Sequence, residues 1–226
     1  MWKWDPNADK AIVARLIKLL PLATLAAILM LSIVAVIAYR FGPVAGLLNR
    51  YDLPPALASP GPASVARIFV NNLLVLIFGV AVFWFSSRLR TPDERRFMHP
   101  ATRRVGEALL ALVVAAALSR QGWALAQQLS NLAFLGDISR FKIAISTLPH
   151  ATVELSAMYL PLVASLRYRA VDRIQTLRAA QICLLIGMGM LAVAAVMEVT
   201  LWHEMLRILT PFNSWLTDPP KDFNNY

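Results

Sequence analysis

Residues 148–162, LPHATVELSAMYLPL, set an imidazole and a carboxyl group one helical turn apart in a stretch that otherwise reads as hydrocarbon. At i and i+4, His150 and Glu154 share a helix face and can reach each other. Three chemistries suit such a pair. The two groups can hydrogen-bond each other and neighbouring helices, locking a bundle together. They can line a polar pocket or pathway in which Glu154 carries a proton or a ligand, since ionisable groups inside a membrane often mark function. They can also hold a metal, because His and Glu on one helical face suit zinc. A metal needs three or four ligands, and only two are well placed. His203-Glu204 lacks the second histidine of a zincin helix, and Cys183 is the only cysteine. No metal, no cofactor and no complete catalytic constellation are expected.

Other polar groups fall in similar surroundings. Asn71 and Asn72 sit near the outer end of the second apolar stretch, and Glu198 lies late in the last, within AAVMEVTLW. If the fourth stretch runs inward, Glu198 shares the depth of Pro149 and His150, which predicts a Glu198–His150 contact. His150, Glu154, Glu198, Asn71 and Asn72 thus form the candidate intramembrane polar centre. Glu107 opens the third stretch near the inner face, where a helix N-terminus favours a carboxylate anyway. Pro149 and Pro161 lack the N–H groups that would bond the carbonyls of Ile145 and Ala157. The helix carrying the pair is therefore expected to be bent or interrupted twice, its freed carbonyls finding partners in protein or water.

What must position these groups is a membrane-embedded bundle. Of the 226 residues 58% are hydrophobic, and 15% are charged against the ~25% usual in a soluble domain. The mean hydropathy is +0.58, and the apolar residues are bunched into long runs rather than scattered at amphipathic spacing. An apolar helix needs ~20 residues to cross ~30 Å of hydrocarbon. Five such spans are read, at about 19–39, 68–87, 105–125, 143–166 and 179–202, the third with a polar second half. The first run is too long for the core of a cleavable signal peptide and is expected to stay as an anchor. The expected fold is all-α: a single polytopic bundle over residues 1–226, with interfacial helices at the termini and in the outer loops.

The formal net charge of +9 raises nucleic acid as a partner, but the position of the cations argues against it. Lys3, Lys10, Arg15 and Lys18 precede the first span. Arg88, Arg90, Arg95, Arg96, Arg103 and Arg104 follow the second, and Arg167, Arg169, Arg173 and Arg178 follow the fourth. These alternate segments hold 14 of the 22 Lys and Arg residues. That is the positive-inside pattern. It predicts a multi-pass protein of the cell membrane with a cytoplasmic N-terminus and an outer C-terminus.

The 41–67 connection carries Pro43, Pro54, Pro55, Pro60 and Pro62, so no long helix is expected there. Residues 120–142 contain a helix-like section near Trp123–Leu132, expected as a re-entrant or interfacial piece. The segments at 7–20 and 203–216 combine apolar residues at helical spacing with flanking charges, and Trp2 and Trp4 are placed as headgroup anchors. Ala111 with Ala115, and Gly189 with Ala192 near Gly187, mark faces where helices can touch.

FVNNLLVLIFG (69–79), LPHATVELSA (148–157) and AAVMEVTL (194–201) together resemble the stage II sporulation protein M family. That pattern has an Asn-rich start to an early span, a Pro-His-Gly-x-x-Glu-x-x-Ala helix and a late glutamate. The resemblance runs from about Ile68 to the end of the fifth span. It aligns the family's helix glutamate with Glu154 and its early Asn pair with Asn71 and Asn72. Ala151 departs from it, standing where the family usually has Gly. The resemblance implies a bacterial polytopic bundle acting as scaffold or subunit, and no established reaction. In spore formers the namesake is similar to an anchor for cell-wall hydrolases, a process not carried over to this chain.

The function expected from these observations is a non-enzymatic scaffold or accessory subunit of a larger membrane complex. Its partners would be other membrane proteins, in a hetero-complex or homo-oligomer, and membrane lipids, not nucleic acid. The alternative is a transporter or permease-like subunit using the polar site around His150 and Glu154, since broken helices build substrate sites. An intramembrane hydrolase is disfavoured by the incomplete ligand set.

Overall fold

The computed structural model describes residues 6–48, 62–89, 139–168 and 172–209, with scattered positions between 99 and 133. Among the described residues the chain is helical and has no strand. α1 spans Pro6–Ile17, α2 Leu20–Leu48, α3 Pro62–Leu89, α4 Arg140–Arg167 and α5 Arg173–Met197. A π-helical turn, Glu198–Trp202, joins α5 to α6, His203–Leu209. Local chemistry explains several of these boundaries. Pro6 and Pro62 each open a helix, where a missing N–H goes unnoticed and a fixed φ helps. Asp172 caps α5, its Oδ1 accepting the Gln175 backbone N–H at 2.7 Å. Between α1 and α2, the Leu19 N–H bonds the Leu16 carbonyl at 2.9 Å, so a tight turn separates the two helices without freeing the backbone.

Among the described residues, three helical stretches are long and apolar enough to cross a membrane: Asn7–Ile37, Pro62–Leu89 and Arg173–Leu209. They contain the spans read at 68–87 and 179–202 and all but the last two residues of that read at 19–39. α4 covers the span read at 143–166 and runs 28 residues, but is too polar to join them on composition. It is also the best shielded helix. Seven consecutive residues, Leu155–Pro161, are buried, so this segment is enclosed around its whole circumference. Most of the span read at 105–125 lies outside the described residues, as do most of the 120–142 section, Trp2, Trp4 and residues 210–216.

The chain divides into two compact units, each drawing residues from the long helices. Unit 1 comprises Met1–Ala27, Asn71–Ala117 and Val153–Leu191. Its core takes Ile12 and Leu16 from α1, Leu76 and Phe83 from α3, and Leu155 and Leu160 from α4, all at most 2% exposed. Helices approach closely at two glycines. A Cβ on Gly79 would stand 3.0 Å from Pro161 Cγ, and one on Gly187 would stand 2.7 Å from both terminal methyls of Leu76. Polar ties cross the same unit: the Ser156 hydroxyl donates to Thr24 Oγ1 at 3.1 Å, and Arg178 lies 3.7 Å from Asp9.

Unit 2 comprises Ile28–Val70, Leu118–Thr152 and Ala192–Tyr226. One core cluster joins Ile68, Ile143, Ala195, Trp202 and Leu206, with Val65, Phe69, Leu129, Ala133 and Val199 against it. A second joins Val34 to Ala126, flanked by Met30, Ile37 and Leu129.

Two expectations need correction. α4 is one continuous helix through Pro149 and Pro161, so neither proline interrupts it. Each removes a single backbone bond, and Pro161 is held in place by the close approach of Gly79. The prolines of 41–67 also exclude less helix than expected. α2 continues through Pro43 to Leu48, and α3 starts at Pro62. A proline late in one helix and another at the first position of the next leave most backbone bonds intact.

Candidate functional site: a polar tie at a π-helical turn

Within unit 2, α4 and the π-helical turn meet through polar groups. His150 is 5% exposed, and its ring lies against that of Trp202 with centroids 5.4 Å apart and planes tilted by 49°. The Trp202 indole N–H donates to the Ser146 hydroxyl at 3.0 Å. That hydroxyl donates in turn to the Ile143 carbonyl at 2.8 Å, and the Thr147 hydroxyl reaches the same carbonyl at 2.7 Å. Ser146 and His150 are one turn apart on α4, so a single tryptophan covers both. A buried indole N–H needs an acceptor, and a hydroxyl bonded back to its own helix supplies one without leaving a donor unmatched.

The π-helical turn is what aims Trp202. A π turn adds one residue, which rotates everything after it by about 100° about the helix axis. Trp202 and Leu206, four residues apart, are thereby both placed in the cluster with Ile68 and Ile143. The Thr200 hydroxyl donates to the Val196 carbonyl at 2.8 Å, a side-chain bond to the backbone within the irregular stretch.

The structure places the other sequence-predicted residues as follows. Glu198 opens the π-helical turn and is half-buried. The ring shown against His150 is that of Trp202, four residues beyond Glu198. Glu154 is half-buried on α4 and has a partner of its own. Asn71 is exposed on α3 and Asn72 is half-buried. Pro149 is half-buried and Pro161 is buried against Gly79. Cys183 is a buried, unpaired thiol on α5. No group of three or more His, Cys, Asp or Glu is gathered for a metal among the described residues. Of the small-residue faces, Gly187 makes a tight contact within the chain, whereas a Cβ on Gly189 would meet nothing within 4 Å.

Sequence reasoning missed Ser146 and Trp202. The signal was present: an indole inside an apolar run must donate somewhere, and a serine one turn before a buried histidine is a ready acceptor. Chemically, the site holds a hydroxyl engaged on both sides and an imidazole tilted against an indole. That arrangement fastens helices and offers no poised nucleophile.

The fold and the site define an all-helical protein with membrane-length apolar helices fastened by buried polar ties. Comparison with family models, curated proteins and solved structures found no match.

Proposed function

We propose that this chain is a non-enzymatic scaffold or accessory subunit of a larger membrane complex, built on five spans with a cytoplasmic N-terminus, an outer C-terminus and interfacial segments at its ends. The observation that carries this reading is an open face on α5. Leu185, Gly189, Ala192 and Val196 fall at i, i+4, i+7 and i+11, which is one helical stripe. All four are exposed, Leu185 by 67%. Small residues flanked by apolar ones allow close approach of a second helix in lipid, where packing drives association. The buried polar groups support the same reading, because Ser146 and Trp202 are spent on joining helices. The three segments quoted above extend the proposal to kinship with the stage II sporulation protein M family.

The test is Gly189→Leu, with the protein purified in mild detergent from its native membrane. The expected result is an unchanged circular dichroism spectrum and loss of a defined, stoichiometric complex. A wild-type protein that runs as a monodisperse monomer under these conditions would refute the reading.

The transporter alternative is favoured by one observation, a π-helical turn opening at the half-buried Glu198. Irregular helix at membrane depth lines cavities and ion paths in transporters. Loss of substrate flux in Glu154→Gln, with assembly intact, would favour it over the scaffold.

A further inference from the structure

Asn71 is an exposed carboxamide on α3, a helix long and apolar enough to cross a membrane. Its exposed neighbours Val70, Leu74, Val75 and Phe78 are all apolar. Arg67 lies toward one end of α3 and Arg88 at the other. With the hydrocarbon centred between these two cations, Asn71 is about 10 Å from the midplane at 1.5 Å per residue. The hydrocarbon reaches about 15 Å to each side of that plane, and a side chain this short does not reach back to the headgroups as Lys and Arg do. A carboxamide carries two N–H donors and an acceptor oxygen, and the helix carbonyl four residues back takes at most one donor. The rest must be met by protein, because lipid tails offer no partner.

The face that carries Asn71 has a regular spacing. Asn71, Leu74, Phe78, Ala81 and Phe85 follow one another at intervals of three, four, three and four, and all five are exposed. Leu76, Gly79 and Phe83, on the opposite side of the helix, are buried, and there Leu76 meets Gly187 and Gly79 meets Pro161. All eight residues belong to unit 1. Alternating threes and fours are the a and d positions of a left-handed two-helix seam, a geometry shared by coiled coils and most membrane bundles. Asn71, Phe78 and Phe85 take the a positions, and Leu74 and Ala81 the d positions. A single Asn at an a position is the device that fixes register and oligomeric state in such seams.

We propose that α3 pairs in parallel with α3 of a second copy of this chain, the two Asn71 carboxamides hydrogen-bonding each other across a two-fold axis along the membrane normal. Copies inserted in the same orientation are related by rotation about that normal, so each residue meets its own counterpart at its own depth. A carboxamide is its own complement: the N–H of each donates to the oxygen of the other. A second copy therefore brings the matching group to the matching depth with nothing further required, whereas a foreign helix would need its own polar group there. The small Ala81 at a d position lets the two backbones approach. This interface is separate from the partner proposed for α5 and requires only that α3 crosses the membrane.

The experiment reconstitutes the full-length protein, carrying one fluorophore at its C-terminus, into phosphatidylcholine vesicles over a range of protein-to-lipid ratios. Single-molecule photobleaching reads the dimer fraction. Asn71→Leu removes the carboxamide and keeps apolar bulk, and is expected to dissociate at a roughly tenfold higher protein-to-lipid ratio than the wild type. Asn71→Gln, which keeps a carboxamide, is expected to recover most of the difference. Gly189→Leu on α5 should leave this dimer unchanged, which separates failure here from failure of the scaffold reading. In a Cys183→Ala background, mild oxidation should join Leu74→Cys to its own copy, and Ala81→Cys likewise, but not Leu25→Cys, which is exposed on α2. A wild type that is monomeric at every ratio, or an Asn71→Leu variant that dissociates at the wild-type ratio, overturns the pairing. Equal cross-linking at Leu25→Cys overturns α3 as the face that pairs.

Discussion

The Trp202–Ser146 bond gives the sharpest test of how this protein is held together. Ser146→Ala leaves the Trp202 N–H, 4% exposed as a residue, without its acceptor. An unmatched buried donor costs about 1–3 kcal/mol. The Ile143 carbonyl does not share that penalty, because it keeps the Thr147 hydroxyl at 2.7 Å. Trp202→Phe removes the donor and part of the ring, costing about 1–3 kcal/mol through the space left in the cluster around Ile68 and Ile143. In the Trp202→Phe background, Ser146→Ala leaves nothing newly unmatched, so it should then be nearly neutral. The two changes should therefore couple. Inter-helix hydrogen bonds in membrane proteins average about 0.6 kcal/mol in such cycles and reach about 1.7. A 3.0 Å bond between two buried groups belongs in the upper part, at about 1–1.5 kcal/mol. The assay is a double-mutant cycle of reversible denaturation in mixed micelles, followed by circular dichroism so that loss of a tryptophan does not alter the probe. A coupling within about 0.3 kcal/mol of zero is simple additivity and would show that the bond contributes nothing.

The glycines sort by the space around them, with thermal unfolding in one detergent as the common measurement. Gly79→Ala should cost about 1–3 kcal/mol, because the methyl would meet the ring of Pro161 at 3.0 Å and Met158 O at 3.6 Å. Gly187→Ala should cost a similar amount by displacing Leu76, whereas Gly189→Ala, with open space around it, should be neutral or stabilising by up to about 1 kcal/mol. Equal effects at the three positions would contradict the packing. Tyr168 makes a prediction at alkaline pH. Burial raises its phenol above the ordinary value, with Asp172 adding to the rise and Arg15 opposing it. The folded state therefore favours the neutral phenol. Its contribution is intact below the unfolded value of about 10, and it is lost as pH rises through the higher folded value. The stability of Tyr168→Phe should accordingly fall less between pH 9 and 11 than that of the wild type, as measured by midpoints across that range; parallel curves would refute it.

The helices were legible because their cause is local and repeated. Runs of apolar residues as long as a bilayer leave few alternatives, and α2, α3 and α5 cover most of three of the runs read from composition. α4 shows where that reasoning is incomplete. Ser146, Thr147, His150 and Glu154 lower its hydropathy below what a lipid-facing helix tolerates, and the structure encloses its 155–161 segment instead. Hydropathy reports on the solvent that a helix would need, while the neighbours that replace lipid are specified elsewhere in the chain.

The candidate site was legible only in part, and the missing part has a definite geometry. Matching the depth of Glu198 to that of His150 assumes that α5 keeps 3.6 residues per turn to its end. The π-helical turn Glu198–Trp202 breaks that assumption at the residue where it mattered. One added residue turns the following side chains by about 100°, so the group delivered to His150 is Trp202. No hydrophobic pattern records such a turn, because leucine, valine and tryptophan satisfy either register. Its signature is instead the cost of the alternative. In an uninterrupted α-helix, Trp202 would be carried round the axis from Ser146, leaving a buried indole N–H to find another acceptor. A single-residue deletion within Glu198–Trp202 that restored the regular helix should therefore be more damaging than removing the Ser146 hydroxyl alone, since it takes Trp202 and Leu206 out of the cluster together.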